Sequence, residues 1–215
     1  MNEPLSIVFE DDKIIVVNKP SGQAVIPGRG LDKEPLVAQV TAHMGSKAFV
    51  VHRIDLETSG LVLFAKDADI HRKLSQLWEE RGVKKTYWAW VQGIMKEPTG
   101  TFKAHIKEFG SGRMGVDPSG QGKPSETHYK VLKTANEASL LEVEPTTGRR
   151  HQIRVHLYHA GHPVMGDALY GKERPVGGQS RLMLHAYQLQ LRHKGEDLVL
   201  TVKPPENFRL SESSK

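Results

Sequence analysis

The amino-acid sequence predicts an α+β fold, a single domain with a mixed, largely antiparallel central sheet flanked by helices and loops. Segments with the composition of strands outnumber those with the period of helices, and several strands are close enough in sequence to form hairpins. The chain has 215 residues, of which 38% are hydrophobic, enough for a substantial core. It contains no repeat and no long linker. We therefore expect one domain over residues 1–215, ending in a disordered polar tail at 211–215.

Two strands rich in β-branched residues are predicted at the start of the chain. They read SIVFE and KIIVVNKP, and the turn-forming pair Asp11-Asp12 lies between them. The turn signal PSG ends the second strand. A short helix over residues 35–44 follows, with Pro35 in its first turn and Gly45 just past its end.

The next part of the chain alternates strand and helix. LVLFAK is a continuous apolar run of strand length, typical of a strand buried on both faces. ADIHRKLSQLWEERG places four apolar residues on one helical face, with Asp67 or Asp69 as its cap and Gly82 as its end. KKTYWAWVQG is predicted as a strand with Tyr87 on one face and Trp88 on the other.

The second half of the chain begins with a stretch that has the composition of a loop. Residues 107–125 hold five glycines and two prolines, which predicts an exposed, mobile, mildly basic loop. A hairpin of ETHYKVLKT and ASLLEVEP follows, with Asn136-Glu137 near its turn. TTGRRHQIRVHLYHAGHP is predicted as a capped helix, and LMLHAYQLQLR and LVLTVKPP as closing strands.

Composition limits the classes of function. There are 30 Lys and Arg against 25 Asp and Glu, a net charge of +5 that favours a polyanionic partner such as nucleic acid without requiring one. Cysteine is absent, which excludes disulfides, thiolate zinc sites and cysteine nucleophiles. The N-terminus lacks a signal-peptide pattern, and no apolar run approaches about 18 residues. We expect a cytoplasmic protein without a membrane span.

One carboxylate in the stretch VHRIDLETSGLVLFAK has the setting of a reactive group. Asp55 follows Arg53 by two residues, so in an extended segment both project to the same side, about 6 to 7 Å apart along the chain. A nearby cation keeps a carboxylate ionised, as a nucleophile or general base must be. The sequence Thr58-Ser59-Gly60 suits a tight turn, in which hydroxyls and backbone N–H groups converge on an anion. The alternative, favoured by this fragment alone, is that Asp55 caps a turn and Arg53 is a surface partner.

A second cluster, GRRHQIRVH, is cationic. If the cluster is helical, Arg150 and Arg154 lie four residues apart on one face, near a helix N-terminus that itself favours anions. Arg149 adds a third guanidinium. Binding of a phosphate or carboxylate and a solvated basic face are both open interpretations.

Four histidines in the same region raise the question of a metal site. They are His151, His156, His159 and His162, within twelve residues. No acidic or thiol ligand lies among them, and the HExxH pattern is absent, so the sequence disfavours a metal site. Sequence patterns for dinucleotide binding, the P-loop and the serine nucleophile elbow are absent as well.

Among the aromatic residues, Tyr87 is the candidate for a functional role. Its ring can stack on a base while its hydroxyl donates a hydrogen bond. The alternative is an ordinary core tyrosine, which residue type alone favours.

Five motifs, in this order along residues 7 to 171, resemble the RluA-type pseudouridine synthases, which modify uridines of ribosomal and transfer RNA. HRIDLETSG is similar to the family signature HRLDxxTSG, and DKIIVVNKPSGQAVIP to the first motif. KKTYWAWVQG is similar to the K-x-Y-x-A-x-V-x-G strand, and KPSETHYKVL to the segment before a later hairpin. GRRHQIRVHLYHAGHPVMGDALYG is similar to the block GRxHQIRxHxxxxGHPIxGDxxYG. Two departures are mild: Ile54 replaces the usual Leu, and Ile26 replaces a frequent His.

The resemblance implies isomerisation of uridine to pseudouridine within RNA, without a cofactor or a metal, in a catalytic cleft across the sheet. Asp55 takes the position of the catalytic aspartate, and Tyr87 that of the active-site tyrosine, which packs against the target base. Arg154 takes the position of the arginine that forms a salt bridge with that aspartate. Arg53 falls where family members can insert an arginine into the RNA stack as the target nucleotide is flipped out.

The resemblance also sets expectations about RNA. We expect contacts from His52, Arg53 and Thr58 and from Arg149 and Arg150, with the glycine-rich loop closing on the RNA. We expect no S4 domain, which many relatives carry, and a monomer that recognises a stem-loop of ribosomal or transfer RNA with its catalytic domain alone. An RNA-binding protein without activity, such as an RNA chaperone, and a metal-dependent hydrolase are the alternatives.

Overall fold

The computed structural model describes residues 4–28, 33–110, 112–171 and 181–210. In chain order its elements are β1 (Ile7–Glu10), β2 (Ile14–Lys19), α1 (Leu36–Met44), β3 (Phe49–Val50), β4 (Ser59–Ala65), α2 (Ala68–Glu79), β5 (Lys84–Gln92), β6 (Thr99–Glu108), β7 (Met114–Val116), β8 (Lys123–Ala135), β9 (Ala138–Pro145), α3 (Gln152–His159), β10 (Leu184–His193) and β11 (Glu196–Thr201). The predicted α+β class with largely antiparallel strands is confirmed.

The chain divides into two compact units. The first comprises Met1–Lys85 and Ala186–Pro204, and the second comprises Thr86–His185 and Pro205–Lys215. One domain over residues 1–215 stays a prediction, and the predicted disordered tail at 211–215 lies outside the described residues. No helix within the described ranges is long and apolar enough to cross a membrane.

The first unit is a sheet with the strand order β1-β2-β4-β10, to which β3 adds beside β4 and β11 beside β10. β2 and β4 pair antiparallel, with Ile14 opposite Ala65 and Lys19 opposite Gly60. All seven residues of β4 are buried, as its unbroken apolar sequence predicted. The core on one side of this sheet receives the apolar face of α2, including Leu74.

The two helices of the first unit begin where the sequence predicted. Pro35 directly precedes α1, and Gly45 ends it in the left-handed conformation with φ of 64°. Asp67 caps α2 by accepting the Ile70 N–H at 2.8 Å. The end of α2 differs from the prediction, because Arg81 takes the left-handed conformation in place of Gly82.

The second unit is a sheet with the strand order β5-β9-β8-β6-β7, and each of these four neighbouring pairs is antiparallel. The predicted hairpin of β8 and β9 is confirmed. Asn136 and Glu137 form its two-residue turn with φ of 48° and 56°, as turns that match the twist of a hairpin require. A large apolar core packs β5 and β9 against α3, with Ala89, Leu141 and Leu157 fully buried.

The predicted mobile loop at residues 107–125 is wrong in part, because eight of these nineteen residues belong to strands. Within it, β6 ends, β7 pairs with β6 and β8 begins. Two of its glycines make room for neighbours: a Cβ on Gly115 would lie 2.8 Å from the Phe109 ring, and one on Gly122 would lie 2.9 Å from the Ile106 backbone. These glycines permit close approach of chain segments rather than disorder.

A buried carboxylate orders the turn between β7 and β8. Asp117 accepts hydrogen bonds from the Ser119 N–H and hydroxyl and from the Gly122 N–H, and it pairs with Lys107 at 2.8 Å. The hydrogen bonds from Lys107 and Ser119 hold the pKa of Asp117 well below its usual range. The donors of this turn are therefore satisfied within the protein.

Candidate active site

Asp55 lies between β3 and β4, outside any helix or strand. The Thr58 N–H donates to the Asp55 carbonyl at 3.2 Å, which closes a turn around Leu56 and Glu57. Asp55 is partly buried, whereas Arg53 is exposed. The predicted tight turn at Thr58-Ser59-Gly60 is wrong in position, because Ser59 and Gly60 already belong to β4.

The buried ammonium group of Lys19 holds this turn in place by hydrogen bonding. Lys19 is fully buried at the end of β2, and its Nζ donates to the carbonyls of Pro20 at 2.9 Å, Gln23 at 2.7 Å and Leu56 at 2.9 Å. A buried ammonium is stable only where acceptors replace its water, and here three carbonyls do so. Since Leu56 directly follows Asp55, Lys19 positions the backbone that carries the carboxylate.

The loop after β2 adds two further ties to the same turn. The Gly22 N–H donates to the Leu56 carbonyl at 2.9 Å, and the Ser21 hydroxyl donates to the Glu57 carbonyl at 2.6 Å. The PSG signal that the sequence showed as a strand end therefore also supports the Asp55 segment.

His52 has the contacts of a structural residue. Its ring stacks on Trp78 with centroids 4.3 Å apart, and its Nε2 accepts the Leu63 N–H at 3.0 Å. Burial lowers the pKa of His52 to about 3, and the nearby charge of Lys85 lowers it further. The ring is therefore neutral near pH 7 and cannot serve as a cation for phosphate. Its predicted contact with RNA stays a prediction.

Thr58 and Gly60 are both enclosed at the start of β4. Thr58 is buried, and within the described ranges its hydroxyl has no hydrogen-bond partner. Gly60 has φ of 111°, and a Cβ there would lie 2.3 Å from the Ala186 carbonyl oxygen. The glycine is required by this close backbone approach. The predicted RNA contact of Thr58 remains untested.

Tyr87 lies on β5 in the second unit, opposite Val143 of β9. It is partly buried and packs against the core of that unit. The strand predicted here is confirmed, and alternation along it sets Tyr87 and Trp88 on opposite faces.

Arg154 is buried on α3 and is bound at two points by the carboxylate of Asp167, which was not among the predicted site residues. Its Nε donates to Asp167 Oδ2 at 2.8 Å, and its Nη2 donates to Asp167 Oδ1 at 2.9 Å. Asp167 Oδ1 also accepts the N–H groups of Leu169 and Tyr170. The Arg154 guanidinium lies over the Tyr170 ring, 5.2 Å from its centroid. The pairing of Arg154 with Asp55 stays a prediction.

Gln152, the first residue of α3, orders the segment that precedes the helix. Gln152 accepts from the Thr147 hydroxyl and the Arg149 N–H, and its amide donates to the Glu126 carbonyl and the Thr127 hydroxyl. All of its hydrogen-bonding groups are thereby used inside the protein. These bonds order the segment that leads into α3, whose N-cap residue His151 makes no side-chain capping bond.

The helix begins two residues later than Arg150, so the predicted shared helical face of Arg150 and Arg154 is wrong. Arg150 is exposed, with Nη1 3.5 Å from Glu108 Oε1. Arg149 is partly buried, and its Nε donates to the Pro124 carbonyl at 3.2 Å. Both lie in the second unit, and their contacts with RNA stay predictions.

His156 has its two ring nitrogens bound by hydroxyls, those of Ser125 and Thr127, both at 2.9 Å. The Ser125 hydroxyl donates to the Ala104 carbonyl, so it accepts from His156 Nε2, and Thr127 then donates to Nδ1. Burial lowers the pKa of His156 to about 4, and the charge of His159 lowers it further. His156 is therefore a neutral structural residue.

The other histidines of the region are engaged separately. His162 bonds the Gln92 carbonyl, and His151 bonds the Tyr170 hydroxyl. Across the described part of the chain, no three histidine, aspartate or glutamate side chains come close enough together to hold a metal ion.

The predicted site residues are thus distributed over both units. The first unit carries His52, Arg53, Asp55 and Thr58, and the second carries Tyr87, Arg149, Arg150 and Arg154. Three supporting residues were not predicted from the sequence, although they stand inside the motifs NKPSG, HQIR and GDALYG: Lys19, Gln152 and Asp167.

Comparison with known proteins gives one consistent relationship. Ribosomal large subunit pseudouridine synthase C of Vibrio parahaemolyticus is 38% identical over 212 residues, which cover 95% of this chain and 66% of that protein. Ribosomal large subunit pseudouridine synthase D of Nitrosomonas europaea is 37% identical over 219 residues, which cover 94% and 62%. The chain therefore spans slightly less than two thirds of the length of these relatives.

The fold leads to the same group. The structure of human RNA pseudouridylate synthase domain containing 1 superimposes with a TM-score of 0.81 at 29% identity, covering 94% of this chain and 84% of that one. Human RNA pseudouridylate synthase domain containing 4 gives 0.79 at 28% identity, covering 94% and 90%. The family profile described as RNA pseudouridylate synthase matches residues 13–159, well over half of the chain. The chain belongs to the RNA pseudouridylate synthase family.

Proposed function

We propose that this protein isomerises uridine to pseudouridine in RNA, with Asp55 as the catalytic residue. One observation carries the proposal. Asp55 is a partly buried carboxylate on a turn whose backbone is held by a hydrogen bond from Lys19. A reactive group needs such a rigid support, because small displacements of the attacking atom cost large factors in rate.

The reaction rearranges the uridine without any external reactant. The bond from C1′ to N1 breaks, the uracil turns, and a bond from C1′ to C5 forms. C5 loses its proton and N1 gains one, so atoms and charge balance. Asp55 either attacks C1′ directly or removes the 2′ proton to give a glycal, and both routes need the carboxylate ionised. The base must leave the RNA stack before either route begins.

Tyr87 and Arg154 complete the proposed catalytic set. Tyr87 packs against the target base through its ring. Arg154 is the proposed partner of the Asp55 carboxylate, as its place in the family motif implies. Its two hydrogen bonds to Asp167 fix the plane of the guanidinium, so the side chain has little freedom to change rotamer.

The RNA is held by exposed cations. Arg53 is exposed two residues before Asp55, where it can enter the stack as the target nucleotide leaves it. Arg149 and Arg150 provide phosphate contacts on the second unit. The names of the bacterial relatives make a stem-loop of large-subunit ribosomal RNA the first substrate to test, and transfer RNA the second. We infer a monomer that works in the cytoplasm.

The test compares ribosomal and transfer RNA from cells with the gene deleted, restored, or restored as Asp55→Ala, with pseudouridine mapped chemically. One or a few sites should vanish on deletion and return only with Asp55. Asp69→Ala, which removes an exposed carboxylate of the same unit, should restore the sites like the natural gene. If no site changes and the purified protein also forms no pseudouridine on unmodified transcripts, the proposal is wrong.

A further inference from the structure

A cavity of about 310 Å³ opens on the second unit. β7, α3 and the turn between β6 and β7 supply its lining, which includes Phe109, Arg113, Tyr158, His159 and Tyr170. None of these side chains is among the predicted site residues. The volume is at the lower end of the range for ligand pockets, about 300 to 1,000 Å³, which fits one small planar ligand.

Two aromatic side chains at this cavity are unusually accessible, whereas the third, Tyr170, is buried. Tyr158 exposes 47% of its surface and Phe109 exposes 43%. Among the large hydrophobic residues that are exposed in the described part of the chain, these two are the only aromatic ones, and both line the cavity. Exposed aromatic rings are costly to leave in water and are characteristic of binding surfaces.

Cations accompany both rings. The Arg113 guanidinium lies 5.2 Å from the Tyr158 centroid and 4.8 Å from the Tyr170 centroid. The Lys107 ammonium lies 5.3 Å from the Phe109 centroid, although it also pairs with Asp117. Within about 6 Å of a ring centroid such cations are attracted by the ring. The cavity therefore combines flat apolar surfaces with positive charge.

This combination matches the two halves of a nucleotide. A nucleobase offers a flat face for stacking on an aromatic ring, and its phosphate offers a charge for a guanidinium. A purely apolar ligand would use only the rings, and a carboxylate would use only the arginine. A cavity of this size cannot take a base pair with its stacked neighbours, so it suits a single base that has left the stack.

We propose that this cavity binds one unstacked nucleotide of the RNA substrate, with the base on Tyr158 and the phosphate beside Arg113. The inference rests on the proposed function, since it identifies a second contact with the same RNA. The nucleotide in this cavity is not the target uridine, so the cavity contributes to RNA binding and not to the isomerisation itself.

The test measures binding of a fluorescently labelled ten-residue oligouridylate and of a ten-residue abasic strand with the same phosphates. Tyr158→Ala should weaken binding of oligouridylate about 5- to 50-fold, as the loss of base stacking does, and should leave the abasic strand unchanged. Tyr158→Phe should bind both like the natural protein. Ile94→Ala, at an exposed apolar residue of the same unit, is the matched control.

Turnover on unmodified large-subunit ribosomal RNA separates this inference from the proposed function. We expect Tyr158→Ala to raise KM and leave kcat unchanged. If the natural protein forms no pseudouridine while oligouridylate binding still depends on Tyr158, the proposed function fails and the cavity assignment stands. If turnover is normal and Tyr158→Ala binds oligouridylate like the natural protein, the assignment is overturned and the cavity is left to a protein partner. Equal weakening for both strands also overturns it, because stacking requires bases.

Discussion

Arg154 and Asp167 form a buried ion pair with two parallel hydrogen bonds, at 2.8 and 2.9 Å. The Arg154 side chain is only 3% exposed and that of Asp167 is fully enclosed. Removing one partner of such a pair leaves the other as an uncompensated buried charge, which costs far more than the pair itself contributes. The orientation of the proposed catalytic arginine therefore depends on a residue thirteen positions further along the chain.

We predict that Asp167→Asn lowers the free energy of unfolding by about 3 kcal/mol, because it keeps the shape of the side chain and removes its charge beside Arg154. Urea denaturation measures the change. Asp197→Asn breaks a mostly exposed pair with Arg192 and should cost less than about 0.5 kcal/mol. Equal stability of the two variants would contradict the role assigned to Asp167.

Lys19→Met is predicted to lower kcat with little change in KM, because the hydrogen bonds to the carbonyls near Asp55 are lost while the exposed RNA contacts remain. The carbonyls of Pro20 and Gln23 lose the Lys19 donor, and the Leu56 carbonyl keeps only the Gly22 N–H, which should also cost about 2 to 3 kcal/mol of stability. Pseudouridine formation at saturating RNA, under conditions where the variant is folded, measures the effect. Lys73→Met, at an exposed position of α2, is the control. A normal kcat for Lys19→Met would remove Lys19 from the supporting residues.

Gly60→Ala is predicted to destabilise the protein by at least about 2 kcal/mol, since its Cβ would lie 2.3 Å from the Ala186 carbonyl oxygen and the backbone has φ of 111°. Gly45→Ala separates the two causes. Gly45 has φ of 64° with open space around it, so only the conformational cost of about 1 kcal/mol should remain. Thermal unfolding of both variants compares them, and a Gly60→Ala variant as stable as Gly45→Ala would contradict the close approach.

Stability is predicted to fall as the pH is lowered from 6.5 toward 4. Burial depresses the pKa of His156 from 6.5 to about 4 and that of His52 to about 3, so in this range the unfolded chain binds protons that the folded chain does not. The free energy of unfolding therefore rises with pH and levels off above 6.5, with a slope of at most about 1.4 kcal/mol per pH unit for buried His156.

Urea titrations between pH 7.5 and 4.5 measure this slope. His156→Asn should have a shallower dependence on pH, because one depressed titration is gone. His105→Asn, at an exposed histidine of the same unit, should keep the slope of the natural protein. Parallel curves for the natural protein and His156→Asn would show that His156 is not the group responsible.

Local patterns in the sequence predicted those elements whose determinants lie within a few residues. The apolar run of β4, the Asp67 cap of α2 and the turn at Asn136-Glu137 are of this kind, and each is confirmed. The start of α3 was missed because His151 at its N-cap makes no side-chain capping bond, and Gln152 instead bonds Glu126 and Thr127, 26 and 25 residues earlier in the chain. In the candidate site, the motifs identified Arg154 but not Asp167.

The remaining errors have the same physical source, which is a partner distant in sequence. Gly115 and Gly122 suggested a mobile loop. Glycine occupies these positions because a Cβ would collide with the Phe109 ring and the Ile106 backbone, which the local sequence does not indicate. Lys19 ends a strand, where a lysine usually faces water. Its burial depends on the Leu56 carbonyl 37 residues away, which no pattern within β2 indicates.

Tyr170 has a consequence for how binding and turnover are related. One buried ring lies against the Arg154 guanidinium at 5.2 Å and against the Arg113 guanidinium at 4.8 Å. The ring beside the proposed nucleotide contact is therefore the same ring that packs on the proposed catalytic arginine. Loss of the Tyr170 ring would therefore disturb both guanidiniums and change KM and kcat together, whereas loss of Tyr158 removes only a stacking surface and changes KM alone.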